Sequence, residues 1–329
     1  SRDKKSIFIS FNIFEGDEYK ISTVNVIGDL PFDENAYLPI TSSQEGQIYS
    51  QGQITAIEEY FKNILGNQGY AFAEVTGIPV TNDDDKTVEL TYNILPGNRT
   101  YTRKILFTGN EITQDYVLRR EMRQFEGAWT SDDNIEAGRI RLERLGFFKE
   151  VNVETPAVAG VEDQIDVENT VEEQPSGAIS ATFGYAQDFG AILGLSYQES
   201  NVFGSGNSFN VSVNRSSYQT AYNLSFFDPY FTVDGVSRGY SIFYRSTSYD
   251  ERNIARFSTD SLGATVNFGY PINEISRVNF SVGAENTNIK EGIFPSQEIS
   301  RFLSKEGNDF SLVTVSAAYT MSALNRGLL

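Results

Sequence analysis

The 329-residue sequence contains neither cysteine nor histidine. Their absence removes disulfide scaffolds, thiol nucleophiles and imidazole bases, and with them most zinc, haem and copper sites. A serine triad would have no base, and neither a Gly-x-Ser-x-Gly elbow nor a phosphate-binding loop occurs. Positive charge is also scarce: 26 Lys and Arg stand against 44 Asp and Glu, for a formal net charge of −18. Such a chain has no basic field to neutralise a phosphate backbone, so nucleic acid is not an expected partner. No apolar run approaches the roughly 18 residues of a membrane-crossing helix. Residues 1–10 lack the charged, apolar and small-residue segments of a signal peptide, so the sequence reads as mature or cut.

What is present falls into two halves. Residues 1–174 carry 16 basic and 31 acidic side chains, whereas residues 175–329 carry 10 and 13. The acidic half repeats itself. Gly16, Tyr19, Val24, Val26, Gly28 and Asp29 recur as Gly97, Tyr101, Ile105, Phe107, Gly109 and Asn110, a period of about 80. Leu65, Gly69, Tyr70 and Val75 answer to Leu142, Gly146, Phe147 and Val151, and Val88, Leu90, Tyr92 and Ile94 to Ile165, Val167, Asn169 and Val171. Within a copy the hydrophobic period is two, then helical at Ile54, Ile57, Phe61, Ile64 and Leu65, then two again. The pattern predicts two α+β modules of order β-α-α-β-β. Ser50 and Gln53 suit a capping box, and Gly66 suits the exit of that helix. Thr113 is placed to cap a helix through Met122, and Ser131 or Asp132 one that reaches Leu145 before Gly146. Ile7, Ile9 and Phe11 alternate as the last strand of a preceding module.

From Gly177 onward the pattern becomes eight segments of alternating apolar and small or polar residues, separated by turn clusters. Leu193, Leu195 and Tyr197, or Leu262, Ala264, Val266 and Phe268, typify it. A soluble sandwich and an outer-membrane barrel share this period, because an apolar face serves a core or a lipid phase equally. Loop parity favours the barrel: with the first strand running outward, the inner turns fall at 203–207, 228–239 and 271–276, and the outer loops include 250–260 and 288–309. The turn at 228–239 is long for the inner side.

Gly97 to Arg103, Val117 to Trp129 and Arg141 to Phe148, with Asp-Pro-Tyr-Phe-Thr-Val-Asp-Gly at 228–235 and the turn at 270–274, resemble the BamA family, the barrel-assembly insertases of bacterial outer membranes. The resemblance covers essentially the whole chain. It implies that residues 1–15 end one POTRA module, 19–95 form a fourth and 97–173 a fifth, and that 175–329 form the first eight of sixteen strands of an antiparallel transmembrane β-barrel. It further implies folding and insertion of barrel proteins without bond chemistry or any cofactor. The implied partners are the BamD lipoprotein and other Bam lipoproteins, unfolded outer-membrane clients, periplasmic chaperones and outer-membrane lipid. A related POTRA-bearing translocation pore is the alternative, and a passive porin or adhesin a third class.

Three candidate surfaces follow. The first barrel strand, Gly177, Ala178, Ile179, Ser180, Ala181, Thr182, Phe183, Gly184 and Tyr185, alternates lipid-facing side chains with small residues and packs weakly; in the family it borders a seam where clients pair. Val151, Asn152, Val153, Glu154 and Thr155 are the candidate module edge for capturing an extended client by β-augmentation. Arg119, Arg120 and Arg123 read as a salt-bridged helix face with Glu121 and Glu126; by resemblance Glu126, with Arg119 and Arg123 nearby, docks the lipoprotein. The run Asn82 to Asp85 lacks the spacing of a calcium loop and reads as a hairpin turn. The adjacent pairs Glu58–Glu59 and Glu172–Glu173 point different ways and do not form a glycosidase pair.

Overall fold

The computed structural model describes residues 16–31, 37–187, 190–249 and 256–322. The strand expected around Ile7, Ile9 and Phe11 lies outside them, as does most of the outer loop at 250–260. The first module runs β1 (Lys20–Gly28), α1 (Leu38–Ser42), α2 (Gln51–Asn67), β2 (Glu74–Asn82) and β3 (Thr87–Leu95). Its sheet has the order β1-β3-β2, with β3 parallel to β1 and antiparallel to β2. Alternation along β3 buries Val88, Leu90, Tyr92 and Ile94 to 1% exposure or less, and Leu90, Tyr92 and Ile94 share a core with Ile54, Phe61 and Leu65 of α2. Each such side chain contributes roughly 1.5–3 kcal/mol by leaving water. The β2–β3 connection is the expected turn: Asn82 Oδ1 accepts the Asp84 amide at 3.0 Å.

Two capping expectations change. Ser50 is the N-cap of α2, but its side chain makes no capping bond; its carbonyl accepts the Gln53 and Ile54 amides instead. The helix runs past Gly66, and Gly69, at φ +99°, takes the left-handed exit. Gly66 is small for another reason, since a Cβ there would occupy the place of the Asp132 carboxylate.

The second module repeats the order with β4 (Tyr101–Thr108), α3 (Asp115–Arg119), α4 (Asp132–Arg144), β5 (Phe148–Glu154) and β6 (Gln164–Glu173), in the sheet order β4-β6-β5. Ser131 caps α4 through the Asn134 amide at 3.4 Å, and Gly146 follows at φ +71°. The helix expected from Thr113 to Met122 is a single turn ending at Arg119. Tertiary contacts win over helical continuation here: Met122 is buried against Gly138, and Arg120 turns onto the ring of Tyr230.

Eight strands follow: β7 (Gly177–Ala186), β8 (Gly190–Glu199), β9 (Ser208–Arg215), β10 (Gln219–Asp228), β11 (Ser237–Ser248), β12 (Phe257–Pro271), β13 (Ser276–Glu291) and β14 (Asp309–Met321). They form one antiparallel meander in sequence order. The register sorts the faces. Ile179, Tyr197, Val211, Leu224, Ile242, Ala264, Ala284 and Val313 make a continuous apolar row across all eight strands. The adjoining row on the other face reads Ala178, Gln198, Asn210, Ser225, Ser241, Thr265, Gly283 and Thr314. Ile179, Tyr197, Leu224, Ile242 and Val313 of the apolar row are exposed, and so large an exposed apolar surface is that of a lipid-facing wall. A further helix, α5 (Gln297–Glu306), lies within the loop between β13 and β14. Its Ser296 cap and the spacing of Ile299, Phe302 and Leu303 were a readable signal.

By packing the chain divides into two compact units, and the division runs through the second module: 107–121, 142–151 and 170–329 form one, and the remaining residues the other.

Candidate functional site

Among the described residues the eight-stranded sheet has β7 at one end and β14 at the other, and β7 pairs with β8. All nine residues from Gly177 to Tyr185 therefore lie along one border of the sheet. Ile179 and Phe183 are 75% and 80% exposed. Gly177 is spanned from β8, where the Glu199 carboxylate sits 2.8 Å from the place of a Cβ, whereas nothing approaches Gly184 within 4 Å. β7 thus has little side-chain packing at Gly184. In hydrocarbon an unpaired main-chain donor or acceptor costs several kcal/mol.

The modules close one border of their sheets by a shared device. Thr102 exchanges backbone bonds with Gly127 and Ala128, and Glu126 Oε1 accepts the Ile105 amide of β4 at 2.9 Å. In the first module Ile21 exchanges bonds with Gly46 and Gln47, and Glu45 Oε1 accepts the Val24 amide of β1 at 3.4 Å. Glu45 and Gly46 precede Glu126 and Gly127 by 81 positions, as Val24 precedes Ile105, and the two glycines share φ near +80°. The Glu-Gly pair is an edge cap that the repeat comparison passed over. Glu126→Ala is expected to cost about 1–2 kcal/mol in thermal unfolding of the second module, and Glu126→Gln, which keeps an acceptor, much less.

The three arginines do not share a helix face. Arg119 pairs with Asp115 at 3.1 Å and lies over Phe107, Arg123 donates to the Met122 carbonyl at 3.3 Å, and Arg120 lies over Tyr230 at 4.3 Å. Of the candidate capture edge, Val151, Asn152, Val153 and Glu154 belong to β5, which stands at the border of its sheet, while Thr155 falls just beyond the strand.

A further cluster was not expected from the sequence. The tight turn after β8 packs on residues 112–117. Buried Asn201 donates to Thr113 Oγ1 at 2.9 Å and accepts the Gly206 amide at 2.7 Å. Gln114 donates its amide to the Gly204 carbonyl at 2.9 Å and its side chain to the Phe203 carbonyl at 3.1 Å, and the Tyr116 hydroxyl donates to the Ser205 carbonyl. Thr113 is thus an anchor for this turn and caps no helix. Gly204 and Gly206, at φ +72° and +73°, have no room for a Cβ, being pressed against the Ile112 carbonyl and the Arg120 guanidinium. In the next turn on this side, the Tyr230 hydroxyl donates to Glu121 Oε2 at 3.3 Å. Both turns therefore lie at the end of the sheet that packs on residues 112–121, the inner side in the loop-parity reading.

Glu173 completes the cluster, its two oxygens accepting the Ile112 and Thr113 amides at 2.9 and 2.7 Å. Burial alone would raise its pKa, but the Thr113 hydroxyl and the amides of Thr113, Ile112 and Glu111 hold it below the ordinary value of 4.5. A carboxyl depressed on folding stabilises fully above its unfolded pKa, and that contribution fades as pH falls through the folded one. The Tm difference between the parent and Glu173→Gln is accordingly expected to be constant above about pH 5 and to shrink below about pH 4. A difference independent of pH would rule out the ionised cap.

Comparison with known proteins agrees with this architecture. Residues 19–97 and 100–174 match the POTRA family described as a surface antigen variable number repeat, and residues 201–329 match the Omp85 superfamily domain. The outer membrane protein assembly factor BamA of Neisseria meningitidis serogroup B is 31% identical over 93% of this chain, and that of Buchnera aphidicola 32% over 88%. The chain spans 39% and 47% of the length of these relatives. The crystal structure of BamA from Haemophilus ducreyi lacking POTRA domains 1–3 superposes with a TM-score of 0.80 at 31% identity, covering 94% of this chain and 60% of that one. The chain belongs to the BamA family of the Omp85 superfamily, with POTRA modules in the periplasm leading into a β-barrel domain of the outer membrane.

Proposed function

We propose that the protein to which this chain belongs folds and inserts β-barrel proteins into the outer membrane, with β7 as the template on which a client strand pairs. The observation that supports this reading is β7 itself, a strand whose Gly184 has nothing within 4 Å of a Cβ and whose Ile179 and Phe183 are exposed, so that little side-chain packing hinders a partner strand. A client strand entering the membrane must satisfy every amide and carbonyl, and a strand edge offers that without reading side chains, so one edge serves many sequences. The free energy comes from client burial and hydrogen bonding, and no bond chemistry, metal or nucleotide enters. Strand length supports a second feature: β7 to β10 have 8–10 residues, whereas β12 and β13 have 15 and 16. A shorter wall beside β7 thins the bilayer locally and lowers the barrier to insertion.

The border strand β5 supplies a periplasmic edge for extended clients. Glu126, with Arg119 and Arg123, is the docking point for the BamD lipoprotein. Other Bam lipoproteins, periplasmic chaperones and outer-membrane lipid are further partners on this reading. Because Glu126 also caps β4, Glu126→Gln isolates its charge better than a reversal does.

The test is a cysteine scan of β7 in the full-length protein, with crosslinking to the terminal strand of a client stalled during assembly. Crosslinks at successive β7 positions that advance in step along the client are expected. If β7 crosslinks to no client while assembly proceeds at its normal rate, templating at this edge is wrong. Export of a soluble client through the lumen, without accelerated barrel folding in vesicles, would instead identify a translocation pore.

A further inference from the structure

The outward face of β7, β8 and β9 contains a shallow cavity of about 440 Å³. On that face it is lined by Ala181, Phe183, Leu193, Leu195, Val213 and Arg215, five apolar side chains and one guanidinium. The register explains the shape. Ala181, Leu195 and Val213 form one cross-strand row, and Phe183, Leu193 and Arg215 the next toward the outer end. Ala181, small between Ile179 and Phe183, leaves the groove open.

Arg215 is the last residue of β9, at the end of the sheet away from the turn that packs on residues 112–117. On the barrel reading, with the first strand running outward, that end lies toward the outer leaflet. Among the described residues its side chain has no ion pair or hydrogen bond, in contrast to Lys290, which pairs with Asp260. A guanidinium on the lipid-facing side of a barrel is costly unless it sits at headgroup depth against an anion. Its planar fork fits a phosphate with two parallel bonds.

We propose that this groove is a lipid site, holding an acyl chain of a phosphorylated outer-leaflet lipid against Ala181, Leu195 and Val213 while Arg215 binds the phosphate. Charge complementarity selects this occupant over a client side chain, which would need no cation at the rim. The site would keep an ordered lipid beside β7, and it rests on the barrel reading alone, independently of client templating.

The test uses the full-length protein in nanodiscs containing lipid A or its dephosphorylated form, with lipid retained after delipidation counted by native mass spectrometry. Heat-modifiable gel mobility verifies folding of each variant. One phosphorylated lipid is expected to stay with the parent, and Arg215→Gln to lower its retention roughly tenfold, the size of one charge-assisted contact. Arg215→Lys should recover part of it. Val213→Phe, which fills the groove and leaves the cation in place, should lower retention of both lipids. Equal retention of the two lipids by the parent overturns the phosphate assignment. Retention unchanged in both Arg215→Gln and Val213→Phe overturns the site, as does displacement of the lipid by a client strand peptide in preference to other lipids.

Discussion

Gly204→Val is expected to detach the first inner turn from the second module, accelerating exchange of the Gln114 amide by a factor on the order of 10²–10³. A β-branched residue at φ +72° is strained by roughly 1–3 kcal/mol. Its Cβ would also fall on the Ile112 carbonyl, so the two backbones must part. Parting breaks the Gln114 amide bond to Gly204 and the buried Asn201–Thr113 contact, and each buried polar group left unpaired costs a further ~1–3 kcal/mol. The total, about 3–4 kcal/mol, gives the stated rate because each 1.4 kcal/mol is tenfold. The neighbouring position supplies a change of opposite sign. Phe203 stands at φ +51° and is 91% exposed, so Phe203→Gly relieves strain and should slow that exchange slightly. Amides of the first-module core, such as that of Leu90, serve as the unchanged reference. If Gly204→Val left Gln114 protected, the turn would be held by something other than these contacts.

The second large effect is expected from Phe61→Ala. Phe61 is fully buried, with the rings of Tyr92 at 5.7 Å and of Tyr37 and Tyr60 at 6.2 Å. Truncating such a side chain costs about 3–5 kcal/mol through lost burial and the cavity left behind. Domains of this size have only about 5–15 kcal/mol in total. The first module should therefore open at temperatures where the parent is intact, giving new proteolytic cuts between residues 38 and 95 of the full-length protein. The heat-modifiable mobility of the barrel should be unaltered, because Phe61 belongs to the core of the first module. Cuts spread through both regions would mean that the module and the barrel unfold together.

These two sites differ in how far they could be read in advance. Phe61 lies in a helical period that announces its burial, and Leu90 and Tyr92 lie in a period of two that announces the facing strand. Gly204 carried only the general mark of a turn. Nothing in the run Asn-Val-Phe-Gly-Ser-Gly-Asn says that its carbonyls meet Gln114 and Tyr116, residues almost ninety positions earlier. Glu126 shows the same limit from the other side. The repeat places it opposite Glu45, yet its bond to the Ile105 amide depends on how the chain returns past β4, which propensity does not encode. The short α3 is a third case, where Met122 and Arg120 leave the helix for partners distant in the chain.

Taken by itself, the sequence determined the repeat, the β-α-α-β-β order, the eight barrel segments and the sidedness of their turns. All of these follow from hydrophobic period and turn chemistry, which act over a few residues. Only the tertiary structure decided the register in which the eight strands pair, that β5 stands at the border of its sheet, and that Asn201 and Glu173 bind the Thr113 segment. Those outcomes depend on which strand finds which neighbour. Pairing of that kind is settled by burial and backbone hydrogen bonding across long sequence separations, where local preference has no influence.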